Sequence, residues 1–267
     1  MSLQDDFNRL EEWSKKWLLS FHPEKCKVLH LGNKSDPQSN YSLCQTPLQK
    51  TTCEKDLGVN IDEDLSFSHH IDTIVNRANS IMGAIRRAIK FLDPPVFLKL
   101  YKGLVRPNLE YAVPVWSPHL KKDIRKIEAV QRRATKQING LKDLDYAARL
   151  EKLKLPTLLF WRRRGDMIEV YKILSKKYDP AVTDFLPLHM SMRPESNTRG
   201  NELKLFKRKS IHTRCSNSFS HRVINMWNNL PNVVVTAPSV FSFENRLDRY
   251  WSRLEVKYNF ENALARL

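Results

Sequence analysis

The densest run of side chains able to do chemistry is cationic. Between Lys121 and Leu141, the residues Lys121, Lys122, Arg125, Lys126, Arg132, Arg133 and Lys136 recur on one side of a helix advancing about 100° per residue. Ile124, Ile127, Val130, Ala134, Ile138 and Leu141 take the opposite side. Cations held along a rigid rod suit a phosphate backbone, because neutralising phosphates releases condensed counterions. The plainer alternative is a solvated helix face. Such a face normally mixes signs, whereas this one holds little acid besides Asp123 and Glu128. The candidate phosphate contacts are therefore Lys122, Arg125, Lys126, Arg132, Arg133 and Lys136. Two shorter runs, Arg162-Arg163-Arg164 and Lys207-Arg208-Lys209, leave three readings open: phosphate contact, a nuclear-localisation address, or plain solvation.

Other chemistry is harder to support. His69 and His70 are adjacent, so a helix points them to different faces, and helix-terminal polar residues account for them better than a metal site. Asp5 and Asp6 suit the positive end of a helix dipole. The cysteines Cys26, Cys44, Cys53 and Cys215 show no C-x-x-C spacing, which argues for reduced thiols over a disulfide framework or a zinc knuckle. Gly is scarce, at 7 residues, so Gly-rich phosphate loops are not expected. No P-loop, H-E-x-x-H motif or nucleophile arrangement is legible. No catalytic, metal or cofactor-binding residue is assigned, and no cofactor is expected for this chain. Of the tryptophans Trp13, Trp17, Trp116, Trp161, Trp227 and Trp251, most fall on apolar stripes, so core packing is expected over base stacking; Trp116, flanked by Pro114 and Pro118, is left open.

The elements that must position the cationic row follow from periodicity. Phe7, Leu10, Trp13, Trp17, Leu18 and Phe21 make one helical stripe, stopped by His22-Pro23. Residues 26–31, 41–44 and 57–61 read as strands, the last by alternation. From Ser68 a long helix carries Ile71, Ile74, Val75, Ala78, Ile81, Met82, Ile85 and Ile89. Another follows Pro94 and is expected to end before Pro107, with shorter helices near 146–153 and 157–177. A linker is expected over 178–199, then amphipathic helices around Trp227 and Leu247. The fold class is α+β, a small antiparallel sheet followed by helices. A length of 267 residues, with 41% hydrophobic content, suffices for a real core. The net charge of +16 calls for a polyanionic partner, nucleic acid first. No apolar run reaches membrane length and the N-terminus is acidic, so no membrane partner and an intracellular location are expected, nucleus and cytoplasm both open.

Several blocks, in order, resemble one family. They are Leu10-Glu11-Glu12-Trp13-Ser14-Lys15-Lys16-Trp17, Phe21-His22-Pro23-Glu24-Lys25-Cys26-Lys27-Val28, and Lys55-Asp56-Leu57-Gly58-Val59 followed by Asp64-Leu65-Ser66-Phe67. Downstream stand Leu104-Val105-Arg106-Pro107-Asn108-Leu109-Glu110-Tyr111, Val115-Trp116, Ile127 through Thr135, and Phe219, Arg222 and Trp227-Asn228-Asn229-Leu230-Pro231. Together they are similar to the C-terminal part of non-LTR (LINE-type) retrotransposon reverse transcriptases, past the catalytic hairpin. The family more often has Asn where His22 stands. Its Tyr/Phe-Ala-Asp-Asp turn, whose carboxylates hold two Mg2+ ions, has no counterpart here. The resemblance implies the end of a polymerase palm over residues 1–65, a helical thumb over 66–178, and a linker with a C-terminal helical region over 179–267. Residues 55–61 would be a primer-grip-like hairpin, or simply a small sheet completing a core. The implied function is to hold an RNA–DNA or DNA template–primer duplex without copying it alone, with the missing palm and fingers portion as a possible protein partner. A stand-alone nucleic-acid-binding or protein-interaction module derived from a retroelement, or a non-functional remnant, is the alternative.

Overall fold

Helix α1 (Leu3–Lys16) places Asp5 and Asp6 in its first turn and Lys15 and Lys16 in its last, the sign each helix end favours. The computed structural model describes residues 3–32, 40–179, 186–192, 201–210 and 213–265, in two units, Met1–His70 and Ile71–Leu267. In the first unit α1 lies against a hairpin of β2 (Ser42–Leu43) and β3 (Thr46–Pro47) through a polar flank. The Gln4 amide donates to Ser42 O at 2.9 Å and accepts from Ser42 N at 3.0 Å, and Glu11 accepts from Cys44 N. Its apolar stripe turns outward: Leu10 is 45%, Trp13 48% and Trp17 60% exposed. The expected packing of Trp13 and Trp17 into a core is therefore corrected. Phe7, on the same stripe, does pack edge-on against Tyr41 with ring centroids 5.8 Å apart, and the hydrogen bonds to the hairpin hold the polar flank.

The β structure also departs from one antiparallel sheet. Among the described residues there are three two-stranded ladders. β1 (Lys27–Leu29) pairs parallel with β4 (Gln49–Thr51), while β2 with β3 and β5 (Cys53–Asp56) with β6 (Val59–Asp62) are antiparallel. Leu57, read as a strand residue, instead forms a two-residue turn with Gly58, at φ of 43° and 88°. Positive φ at both central positions matches the right-handed twist of the flanking strands. The β2–β3 turn does the same with Cys44 and Gln45, neither of which announces a turn. Among the described residues of this unit, the fully buried apolar side chains are Leu43 and Val59.

The second unit is helical. α2 (Ser68–Ala88) turns Ile71, Ile74, Val75, Ala78, Met82 and Ile85 inward. α3 (Pro94–Leu100) runs through a π-helical turn, Tyr101–Val105, into α4 (Arg106–Glu110), so Pro107 does not end the segment as expected. Proline has no N–H for the ordinary ladder; the chain widens one turn and Arg106 N bonds to Tyr101 O. α5 (Val113–Trp116), α6 (Lys121–Lys136), α7 (Tyr146–Leu153) and α8 (Leu158–Leu174) follow. Helices Phe219–Asn228 and Val240–Tyr250 close over α8, where the Tyr171 ring stacks on Phe243 at 4.4 Å. Part of the expected linker lies outside the described residues; the rest includes a short helix, His189–Met192, and a bridge from Leu188 to Leu205. Among the described residues no helix is long and apolar enough to cross a membrane.

A set of charges lies inside this unit. The Glu128 carboxylate, 0% exposed, accepts from Leu158 N at 3.1 and 3.2 Å and from the Tyr146 hydroxyl at 2.6 Å. Asp166 accepts two bonds from Arg222, at 2.9 and 3.0 Å, and Glu110 pairs with Arg106 at 3.0 Å. Arg162, 2% exposed, shares this interior and feels the charges of Glu128, Glu110 and Asp166. Arg164 is held by Asp248 and Glu244. The run Arg162-Arg163-Arg164 is thus not one surface patch, because consecutive helical residues fan out by about 100° each. Burial pushes the carboxyls of Glu128, Glu110 and Asp166 up from the ordinary range.

A carboxyl raised on folding binds its proton more readily in the folded chain. Its contribution to stability is full below the unfolded value and is lost as pH rises through the folded one. The stability difference between wild type and Glu128→Gln should therefore move toward the wild type as pH falls from about 7 to about 4.5. Urea titrations across that range measure it, and a pH-independent difference would contradict the burial argument.

Candidate nucleic-acid interface

The cationic row sits on α6, and the rotation of α6 decides what each cation meets. At about 100° per residue, Lys122, Arg125, Lys126, Arg132, Arg133 and Lys136 fall within an arc of about 120°. The centre of that arc runs through Lys122, Ala129 and Lys136. Lys126 and Arg133 form one flank, Arg125 and Arg132 the other.

Each flank leans on a neighbour. Lys126 pairs with Asp72, and Arg133 donates to the Asn79 side-chain oxygen at 3.1 Å. Both contacts step along α6 and α2 together by about two turns, or about 10 Å, so the two helices run parallel at this seam. On the other flank Arg125 makes a bidentate pair with Glu261, at 3.1 and 3.4 Å. The Arg132 guanidinium lies over the rings of Tyr146 and Phe260, with centroids at 5.2 and 5.7 Å. Lys122 and Lys136 are exposed and have no hydrogen-bond or ion-pair partner among the described residues.

These contacts sort the candidates by available charge. Arg125 and Lys126 are neutralised by Glu261 and Asp72. Arg132 and Arg133 are oriented by an aromatic pair and an amide, neither of which cancels charge. Lys122, Arg132, Arg133 and Lys136 therefore keep their positive charge along one side of the rod. An arginine braced by a ring or an amide also loses less side-chain freedom when it meets an anion.

The acids that read as sparse members of this face are not on it. Asp123 and Glu128 are both buried. Helical phase gave a signal for Asp123, which stands in line with the apolar stripe; Glu128 lies at its border, equally far from Ile124 and Arg132, so periodicity alone did not place it. Tyr101, Gln131 and Tyr146 join Glu128 in a buried polar chain: the Tyr101 hydroxyl donates to Gln131 at 2.9 Å, and the Gln131 amide donates to Tyr146 at 3.1 Å. Gln131 is buried although the apolar stripe read from the sequence did not include it. His70, weighed for metal chemistry, is buried instead and accepts from Asn60 N at 3.3 Å. Burial lowers its pKa first, and neighbouring His69 and Lys55 add to that.

With this geometry in place, comparison with known proteins is informative. The chain is 27% identical over 146 residues to an RNA-directed DNA polymerase from the mobile element jockey of Drosophila funebris, covering 52% of this chain and 16% of that protein. It is 24% identical over 141 residues to a probable RNA-directed DNA polymerase from the transposon X-element of Drosophila melanogaster, with the same coverage of both chains. A probable polymerase from transposon BS of the same fly is also 24% identical over 141 residues, covering 51% of this chain and 16% of its own length. The resemblance to LINE-type retrotransposon polymerases thus holds over about half of the chain. The chain spans only a small part of the length of these relatives. No family model matches it, and no solved structure does.

Since Lys122 and Lys136 bond to nothing described around them, the double variant Lys122→Glu/Lys136→Glu should keep its stability. Dipole gain in the first turn and loss in the last offset each other, leaving a change within about 0.5 kcal/mol by urea unfolding. A much larger loss would mean that these lysines serve the fold.

Proposed function

We propose that this chain is a duplex-holding part of a LINE-type RNA-directed DNA polymerase. In this reading, residues 66–178 act as its thumb and α6 lies along the phosphates of a template–primer duplex. The observation that carries the proposal is the ridge of uncompensated cations, Lys122, Arg132, Arg133 and Lys136, fixed by buried partners on the other side of the same helix. The similarity to retroelement polymerases supports nucleic acid over other polyanions. The sequence holds no Tyr/Phe-Ala-Asp-Asp turn, so the chain binds the duplex without extending the primer.

The test is a salt titration of binding to an RNA–DNA duplex. Wild-type affinity should fall with log salt, and Lys122→Glu/Lys136→Glu should bind more weakly with a slope shallower by about 1.8, or about 0.9 for each phosphate lost. Primer extension with magnesium should give no product. Absence of duplex binding at low salt, or template-dependent synthesis by pure protein, would overturn the reading.

The outward stripe of α1 favours a second contact, with protein. Leu10, Trp13 and Trp17 form an exposed apolar face of the kind that marks a protein contact, and the palm and fingers portion of the polymerase is the partner that fits the proposed role. Mixed with that portion of a relative, the chain should form a complex that Leu10→Glu/Trp17→Glu abolishes while duplex binding by α6 persists. An equally strong complex from that variant would remove α1 from the contact.

A further inference from the structure

We infer that the phosphate-binding surface does not end at α6 but crosses onto the last turns of α2, where Arg86 and Arg87 contact the same duplex. This rests on the duplex-holding role proposed above.

The inference begins with the seam between the two helices. Asp72 and Asn79 mark the edge of α2 that faces α6. One further step of the same length along that edge reaches Arg86, about 10 Å beyond Asn79. Along α6, Lys136 stands about 4.5 Å beyond Arg133, so its level lies between those of Asn79 and Arg86. Because the helices run parallel, the cations of both accumulate toward the same end of the seam.

Arg87 reaches that edge by a different route. It lies about 60° from the Asp72 position around α2. Its side chain, however, folds back along the helix until Nη1 lies 3.6 Å from where a Cβ on Gly83 would sit. Gly83 belongs to the same edge of α2 as Asp72 and Asn79, within about 40°. A glycine there leaves a bare strip of backbone on which the guanidinium can rest. Arg86 and Arg87 are exposed and have no ion-pair partner among the described residues. The acid at this seam, Asp72, is at the far end and already paired with Lys126. Lys122, Arg133, Lys136, Arg86 and Arg87 then form a positive band lying obliquely across two parallel helices. A band on two rods meets a phosphate backbone as it curves, whereas one straight helix meets it over a short arc only.

Cations in the last turn of α2 also offset the helix dipole, and that local role alone would place arginines there. The two roles differ in what they change. The experiment compares wild type, Lys122→Glu/Lys136→Glu and Arg86→Gln/Arg87→Gln on an RNA–DNA duplex and on duplexes of unrelated sequence, each across a salt series and with a thermal melt. If the band is continuous, Arg86→Gln/Arg87→Gln weakens binding to every duplex alike and makes the salt slope shallower by about 1.8, with its melting midpoint within a few degrees of wild type. If the α6 variant loses affinity while the α2 variant binds as wild type with an unchanged slope, the inference fails and the duplex-holding role stands. If wild type binds no duplex, both fail together.

Discussion

Glu128 is the constraint on which the arrangement of α6 depends. Its carboxylate is cut off from water and accepts from the first helical N–H of α8 and from the hydroxyl at the start of α7. Arg162 supplies opposite charge from within the same interior. A carboxylate without such partners would be costly to bury, because leaving water disfavours its charged form. The hydrogen bonds are directional in a way that apolar packing is not, so they fix rotation about the helix axis as well as distance. That rotation puts Lys122, Ala129 and Lys136 at the crest, with Arg125 and Lys126 beside the acids that neutralise them.

It follows that exposed charge and available charge are different quantities on this surface. All the α6 cations lie toward solvent, yet Glu261 and Asp72 have taken two of them. Exposed ion pairs of this kind contribute little stability, and a phosphate can compete for either arginine or lysine. Their chief effect is to narrow the resting positive potential from a broad face to a ridge. The neighbours Tyr146, Phe260 and Asn79 act differently: they hold Arg132 and Arg133 in place and leave their charge intact.

The first unit shows the opposite relation between pattern and burial. Leu10, Trp13 and Trp17 on the apolar stripe of α1 face out, and besides Phe7 against Tyr41 the contacts toward the β2–β3 hairpin run through Gln4 and Glu11. The backbone of a short two-residue strand has few partners in its own hairpin, so the Gln4 side chain takes both the donor and the acceptor of Ser42. Backbone groups bonded this way are satisfied at modest cost. The apolar face is then left to whatever else the unit meets, consistent with how few apolar side chains it buries by itself.

Periodicity in the sequence determined the longer helices of the second unit, including which side of α2 and α6 is apolar, because a regular rod repeats its environment every 3.6 residues; the short helices Arg106–Glu110 and Val113–Trp116 were not legible in it. The residue blocks themselves, not periodicity, carried the resemblance to retroelement polymerases, since they are local and keep their order. Three features depended on tertiary structure. The strand boundaries near Leu57 and Cys44 are set by positive φ in side chains that give no turn signal. The π-helical turn ahead of Pro107 exists because the helix continues on the far side and the chain widens to reach it. The sorting of the α6 cations requires knowing that Asp72, Asn79, Tyr146 and Glu261 arrive beside them from distant parts of the chain. A single helix specifies its own faces; what stands against each face is a property of the packed whole.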